Sequence, residues 1–322
     1  MAGPMDDAAI GDVFLNDAHL PGGSRSAPGS NRSLVLTMDV ITPIVDDPRT
    51  FGAIAAANAL SDVYAMGGRP ELALSFVGFP SDKLPIEALH EILVGLRDTC
   101  AQAKCAIVGG HTIVDPEPKC GLSVTGSVDV RHIWSHKHAK AGSALVLTKR
   151  IGTGIASQAL RAGSAPDSLI AQITAQMTRL NSAACDVGLA VGATSCTDVT
   201  GFGLLGHLRN ITGAAGLTAR IKASLVPLIE GVFAFADQGV IPGGTKRNLK
   251  YVTPVTTFSN SVGESMRLLL ADAQTSGGLL LCVHNSVAEE TVRRLLDQGC
   301  EGSAIIGELE PRAESGAEII VE

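Results

Sequence analysis

The order of apolar runs along the chain most constrains its fold. Before residue 150, short runs rich in β-branched and aliphatic residues predict strands. They are LVLTMD at 34–39, ALSFVGF at 73–79, AIVGG at 106–110, LSVTGSV at 122–128 and ALVLT at 144–148. Only two helical patterns, at 51–66 and 85–104, lie between them. We therefore predict a sheet covered by helices on one face.

Beyond about residue 150 the pattern changes. Helical periodicity dominates at 153–162, 168–190, 203–213 and 286–299. Apolar runs at 217–222, 279–284, 303–309 and 317–321 predict interspersed strands. We therefore predict two domains, residues 1–150 and residues 151–322, and an α/β (α+β) fold class.

The chain is acidic, with 25 lysines and arginines against 32 aspartates and glutamates, a net charge of −7, one Trp and two Tyr. It lacks the basic surface and the stacking residues typical of nucleic-acid-binding proteins. It also lacks an apolar run of about 18 residues that would predict a membrane span. The seven cysteines, an odd number without a CxxC pair, favour a reducing compartment. We therefore expect a cytoplasmic protein with neither nucleic acid nor a membrane as its partner.

Five aspartates lie beside apolar runs, an alanine-rich segment or a glycine turn rather than in charged stretches. They are Asp6, Asp7, Asp39, Asp62 and Asp198. Carboxylates in such places are costly unless they are paired or bind a cation. Each of them alone is best interpreted as a turn or capping residue. Together they also fit a shared Mg²⁺ site, since Mg²⁺ prefers oxygen ligands.

Glycine-rich segments suggest phosphate contacts, although the chain has no P-loop motif. Gly201, Gly203 and Gly206 match GxGxxG, but the preceding ATSCTDVT does not predict a buried strand. We therefore reject a dinucleotide-binding fold and expect a loop that presents backbone N–H groups beside Asp198. The segment at 109–112 is either a second such loop or an ordinary turn after a strand.

Three further segments leave functional and structural interpretations open. TSGG at 275–278 predicts either close backbone packing or, as we favour, a turn that opens a core strand. IPGGTKRN at 241–248 is either an anion-binding loop or a solvated loop. His132, His136 and His138 raise the question of Zn²⁺, but the neighbouring cations favour a solvated surface loop.

Taken together, five segments of the chain resemble the selenophosphate synthetase (selenide, water dikinase) family. They are MDDAAI at 5–10, MDVITPIVDDP at 38–48, AAANALSDVYAMGGRPELAL at 55–74, VGGHTI at 108–113 and TDVTGFGLLGHL at 197–208. IPGGTKRN and AQTSGGLLL add to the likeness. The resemblance implies the two-domain aminoimidazole-ribonucleotide-synthetase-like fold, with an N-terminal mixed sheet that has helices on one face and a C-terminal α/β domain. It also implies a homodimer whose N-terminal domain binds ATP and Mg²⁺ and forms the dimer.

The implied reaction converts ATP, selenide and water into selenophosphate, AMP and phosphate, and so supplies selenium for selenocysteine and selenouridine. The resemblance assigns Mg²⁺ binding to four aspartates, Asp7, Asp39, Asp62 and Asp198. It assigns ATP contacts to six residues, Asp6, Asp39, Asp62, Gly110, His111 and Thr112. The last three match the family segment that contacts ATP across the dimer interface.

The family carries a Cys or selenocysteine and an essential Lys ahead of the DDAA motif. This sequence has no Cys before Cys100 and no Lys before Lys83. We therefore expect no catalytic residue among those present, and a truncated core with weak or no activity. The alternatives are a non-catalytic nucleotide-binding paralogue and a related ATP-dependent kinase or synthetase of the superfamily. The LSDVYAMGG and DVTGFGLLGHL segments disfavour the second alternative.

Overall fold

The computed structural model describes the backbone of residues 9–11 and all of residues 32–322. Asp6 and Asp7 lie outside the described residues. The first sheet contains β1 (Ala9–Gly11), β2 (Arg32–Ile41), β3 (Arg69–Phe79), β4 (Ala106–Val114) and β5 (Lys119–Asp129). The strand order is β1-β2-β5-β3-β4, and only the β3–β4 pair is parallel. The predicted mixed sheet is therefore confirmed.

Two helices, α1 (Pro48–Ala65) and α2 (Ile86–Gln102), pack on one side of the first sheet. Asp47 caps α1 by accepting a hydrogen bond from Thr50 N at 2.8 Å. The two helices approach closely at Gly52 and Gly95, where an added Cβ would lie 2.0 Å from Ile92 O and from Arg49 O, respectively. Small residues thus allow α1 to lie buried between α2 and the sheet.

No element of residues 32–322 covers the opposite face of the first sheet. Alternate residues of β2 point to the two faces, so Val35 is fully buried whereas Leu36 is 42% exposed. The exposed apolar side chains of this face are Leu36, Met38, Val40, Leu72 and Leu74, with Val108 in a β-bulge beside them. The prediction of helices on one face is confirmed, and we call the other side the open face.

The second sheet contains seven strands. They are β6 (Ser143–Leu147), β7 (Ser195–Asp198), β8 (Leu217–Ile221), β9 (Thr256–Phe258), β10 (Leu279–His284), β11 (Ala304–Pro311) and β12 (Ile319–Val321). Their order is β7-β10-β6-β11-β8-β12-β9, with β12 parallel to β8 and β9 and the remaining pairs antiparallel.

Helices cover both faces of the second sheet. They are α3 (Thr153–Arg161), α4 (Asp167–Thr178), α5 (Ser182–Val191), α6 (Gly203–Ala215), α7 (Val232–Asp237), α8 (Gly243–Val252), α9 (Glu264–Leu270) and α10 (Ala288–Asp297). One face shares a continuous apolar core with α1 and the first sheet, and the other packs against α6. None of the helices within residues 32–322 is both long and apolar enough to cross a membrane.

The structure differs from the sequence expectations at several places. The chain passes from the first sheet to the second between residues 129 and 143 rather than near 150, because β6 pairs with β10 and β11 of the second sheet. The single helical pattern at 168–190 is two helices, α4 and α5. The segment at 195–198 is a buried strand, contrary to our prediction, because β10 covers its polar backbone through pairing. The segment at 241–248 begins helix α8 and is not a loop.

Candidate functional site

Asp39 and Asp62 lie on facing elements, β2 and α1. Asn58 Nδ2 donates to Asp39 Oδ2 at 2.8 Å, and Thr37 Oγ1 donates to Asp62 Oδ2. Thr37 and Asp39 share one face of β2, while Asn58 and Asp62 are one turn apart on α1. The two carboxylates are therefore neighbours along the seam between β2 and α1.

Asp39 is partly buried at this seam. Desolvation raises the pKa of the Asp39 carboxyl, and the hydrogen bond from Asn58 acts in the opposite direction. A carboxylate in such a place is stabilised by a bound cation, which offsets the loss of hydration. The seam can therefore hold a hard cation through carboxylate oxygens.

Asp198 is the last residue of β7 and is 1% exposed. The next residue contacts the loop 275–278, since Val199 N donates to Gly278 O at 2.9 Å. An added Cβ at Gly277 would lie 1.9 Å from Val199 O, so this loop position requires glycine. The predicted close backbone packing at 275–278 is confirmed, and the loop also opens strand β10, as we favoured.

The same loop reaches α1. Ser276, at a positive φ of 47°, donates its backbone N–H to Asn58 Oδ1 at 2.9 Å. Asn181 Nδ2 donates to Ser61 Oγ and to Gly277 O, both at 2.9 Å. Hydrogen bonds through this loop thus join the Asp39–Asp62 seam to the segment that carries Asp198.

The buried side chain of Lys149 donates a hydrogen bond to loop 275–278. This residue was not singled out from the sequence. Its side chain is 1% exposed, and Nζ donates to Ser276 O at 2.9 Å and to Arg179 O at 2.7 Å. Burial, with the charge of Arg179, lowers the pKa of the Lys149 amine to about 7, while Cys300 and Asp198 act in the opposite direction. The sequence signal for this role is weak, because a lysine after an apolar run is usually solvated.

A second polar network lies just before the loop. Asp272, fully buried, accepts from Thr245 Oγ1 at 2.6 Å, from Ile155 N at 3.1 Å and from Gln274 Nε2 at 3.1 Å. Burial raises the pKa of the Asp272 carboxyl to about 6, although these hydrogen bonds lower it. Thr245 belongs to the 241–248 segment, which therefore packs inward at this residue.

Gly110, His111 and Thr112 lie within the exposed strand β4, so the expected turn is in fact a strand. Strand β4 forms the edge of the sheet, three strand spacings from β2. At ~4.8 Å per spacing, about 14 Å separates it from the seam. Within one chain, Gly110, His111 and Thr112 are therefore too far from Asp39 and Asp62 to share a site with them.

The GxGxxG segment follows a strand and opens α6, with Gly203 at a φ of 71°. Strand β7 pairs with β10 in antiparallel fashion, whereas a dinucleotide-binding unit is built on a parallel sheet. We therefore still reject a dinucleotide-binding fold. The reason is the antiparallel pairing of β7, since the strand itself is present. His207 of α6 faces the turn and accepts from Thr200 N at 3.1 Å.

The histidine cluster differs from our prediction of a solvated loop. His132 and His138 are exposed, but His136 is fully buried, because the short 3₁₀ turn His136–His138 packs against α6. Across residues 9–11 and 32–322, no group of three or more His, Cys, Asp or Glu side chains forms a ready-made metal site.

Comparisons with known proteins agree on one family. Residues 6–128 match the model of the AIR synthase related protein N-terminal domain, and residues 140–320 match that of its C-terminal domain. A selenide, water dikinase of Myxococcus xanthus is 46% identical over 289 residues, covering 89% of this chain and 81% of the relative. Another, of Porphyromonas gingivalis, is 42% identical over 318 residues, covering 99% and 90%.

Solved structures show the same fold at low identity. Hydrogenase maturation protein HypE in complex with ATP aligns with a TM-score of 0.71 and 19% identity, over 99% of this chain and 87% of that chain. AaThiL complexed with AMPPCP and TMP aligns with a TM-score of 0.67 and 17% identity, over 98% and 87%. The predicted two-domain fold is therefore confirmed.

Proposed function

The chain belongs to the selenide, water dikinase family, and we propose that it catalyses the reaction that names the family. ATP, selenide and water are converted into selenophosphate, AMP and phosphate, which supplies selenium for selenocysteine and selenouridine. The identity of 42–46% over most of the chain supports this activity. The observation that carries the site assignment is the pairing of Asp39 and Asp62 along the seam, joined through loop 275–278 to the Asp198 segment.

We assign the binding of Mg²⁺ to these carboxylates. Asp39, Asp62 and Asp198 supply hard oxygen ligands, and the raised pKa of the Asp39 carboxyl marks a place where a cation would stabilise the charged form. By family resemblance, Asp7 joins this set and Asp6 joins the ATP contacts. Bound Mg²⁺ would neutralise the charge that develops on the transferred phosphoryl group. Asn58 and Thr37 orient two of the carboxylates for this task.

We assign the remaining ATP contacts, Gly110, His111 and Thr112, to a second copy of the chain. They lie about 14 Å from the seam of their own chain, so a homodimer is the simplest way to bring them to ATP. The open face is a large apolar surface of the kind that marks an interface. The buried, reduced state of all seven cysteines, without disulfides in the described chain, fits a cytoplasmic location.

The dimer is tested by Leu74→Glu on the open face, where Leu74 is 50% exposed. A charge buried in an interface is costly, so we expect the wild type to sediment as a dimer and this variant as a monomer. The control is Leu93→Glu, an exposed apolar residue on α2 away from the open face. A dimer that survives Leu74→Glu would exclude the open face as the interface.

The activity is tested by phosphorus NMR of ATP, Mg²⁺ and selenide incubated with the complete gene product. We expect formation of selenophosphate, AMP and phosphate that depends on selenide. Binding of Mg-ATP without selenide-dependent turnover would instead support the non-catalytic paralogue. Turnover of ATP with another acceptor and not with selenide would support a related kinase.

A further inference from the structure

Lys149 is a charged residue in a place where charges are rare. It follows strand β6 and is 1% exposed, among the largest fully buried side chains of the described residues. Burying an amine removes its hydration and is costly unless its N–H groups find acceptors. The family reaction as assigned above makes no use of this residue, so its contacts need a separate explanation.

The Lys149 amine donates to two backbone carbonyls from separate segments. Nζ lies 2.7 Å from Arg179 O, after α4, and 2.9 Å from Ser276 O, within loop 275–278. Ser276 holds a left-handed backbone conformation with a φ of 47°. Because residues other than glycine seldom adopt this conformation, surrounding contacts must maintain it. The hydrogen bond from Lys149 is one such contact.

The next contact on the path is at Asn58. Ser276 accepts from Lys149 at its carbonyl and donates its N–H to Asn58 Oδ1 at 2.9 Å. Asn58 Nδ2 in turn donates to Asp39 Oδ2 at 2.8 Å. Three hydrogen bonds therefore lead from Lys149, which follows strand β6 of the second sheet, to Asp39 in strand β2 of the first sheet.

The backbone of Lys149 also packs against the loop. An added Cβ at Gly278 would lie 2.5 Å from Lys149 N, and Gly278 O accepts from Val199 N at 2.9 Å, directly after Asp198. Lys149 therefore contacts the loop on the side that faces β7 as well as at Ser276. One residue thus supports both ends of the proposed carboxylate site.

We propose that Lys149 is a positioning residue, which holds Ser276 so that Asn58 keeps Asp39 in the orientation that binds Mg-ATP. This inference rests on the proposed function, since it concerns the same site. Lysine suits the role because its long side chain reaches the interior while its amine serves two carbonyls at once. The two hydrogen bonds need donors and not a charge.

The test is calorimetric titration of Mg-ATP, without selenide, into the wild type and Lys149→Met, which has a side chain of similar length and no donor. We expect the dissociation constant to rise by about tenfold, as for other residues that orient metal ligands. Asn58→Ala should cause a similar rise. The double variant should bind no more weakly than the more affected single variant, because both changes interrupt one path.

The matched control is Leu147→Ala, which truncates a fully buried side chain two residues earlier. It should lower the melting temperature but leave the dissociation constant of the folded protein unchanged. If Lys149→Met does not fold, Lys149→Gln keeps an N–H donor on a shorter side chain and should retain part of the affinity. Unchanged affinity in folded Lys149→Met, or additive losses in the double variant, would overturn the inference. A wild type that fails to bind Mg-ATP would instead contradict the proposed function.

Discussion

Two carboxylates, one in each domain, meet very different surroundings. Asp272 in the second domain is fully buried and accepts three hydrogen bonds, from Thr245, Ile155 and Gln274. Asp39 in the first domain is partly buried and, among the described residues, accepts from Asn58 alone. A carboxylate whose acceptor sites are filled by the protein stabilises the fold. One that keeps acceptor sites open beside a second carboxylate can bind a cation.

Among variants of these two carboxylates, Asp272→Ala should cause the largest loss of stability. The substitution leaves three buried donors without their acceptor, so we expect the unfolding free energy to fall by about 3 kcal/mol. Urea denaturation measures this change. The folded fraction should still bind Mg-ATP with the wild-type dissociation constant, because Asp272 serves the fold and not the ligand. Normal stability would show that the Asp272 network is dispensable.

Asp272 should also make the stability of the fold depend on pH. The pKa of Asp272 is about 6 in the folded state, against 3.8 for an ordinary aspartate. The folded chain therefore holds a proton that the unfolded chain releases between about pH 4 and about pH 6. The contribution of Asp272 to stability is full below about pH 4 and is lost as pH rises through about 6, by about 3 kcal/mol in total.

This contribution is isolated by comparing the wild type with Asp272→Asn, which keeps an acceptor oxygen and cannot ionise. Other carboxyls have the opposite trend, such as Asp129, whose pKa the hydrogen bonds of Arg131 lower. Their effects cancel in the difference. We expect the stability of Asp272→Asn relative to the wild type to improve with rising pH over this range. A constant difference would mean that Asp272 does not titrate there.

A substitution in loop 275–278, which joins the Asp39–Asp62 seam to the Asp198 segment, should cause a smaller loss of stability. Gly277→Ala places a Cβ 1.9 Å from Val199 O, so the loop must shift. We expect a loss of about 1–2 kcal/mol in unfolding free energy, as for other overpacked positions. Gly263→Ala is the control, because an added Cβ there has no neighbour within 4 Å among the described residues. Equal stability of the two variants would contradict the close packing of the loop.

The sequence predicted the elements that depend on local pattern. Strands β2 to β5 of the first sheet, helices α1 and α2 and the two-domain organisation follow from periodicity and turn residues, whereas the three-residue strand β1 was not predicted. Strand β7 was missed because four residues, SCTD, carry little pattern and become a strand only through pairing with β10. The burial of His136 was missed for a similar reason, since the packing of α6 over it is tertiary.

The site was predicted only in part. Asp39 and Asp62 were singled out, and the structure brings them together along the seam. Asn58 was missed, because its partner Ser276 is 218 residues away and no local signal links the two. Lys149 was missed because a buried lysine has the same sequence appearance as a solvated one. Long-range hydrogen bonds of this kind arise from the packing of the two domains.

We assign Asp39, Asp62 and Asp198 to the Mg-ATP site, and Asp272 to the stability of the fold. Calorimetric titration of Mg-ATP into Asp39→Asn, Asp62→Asn, Asp198→Asn and Asp272→Asn tests this assignment. We expect the first three dissociation constants to rise by at least about tenfold, as for the loss of a metal ligand or its support. Asp272→Asn should bind as the wild type does. Unchanged affinity in Asp62→Asn and Asp198→Asn would contradict the assignment of the shared metal site.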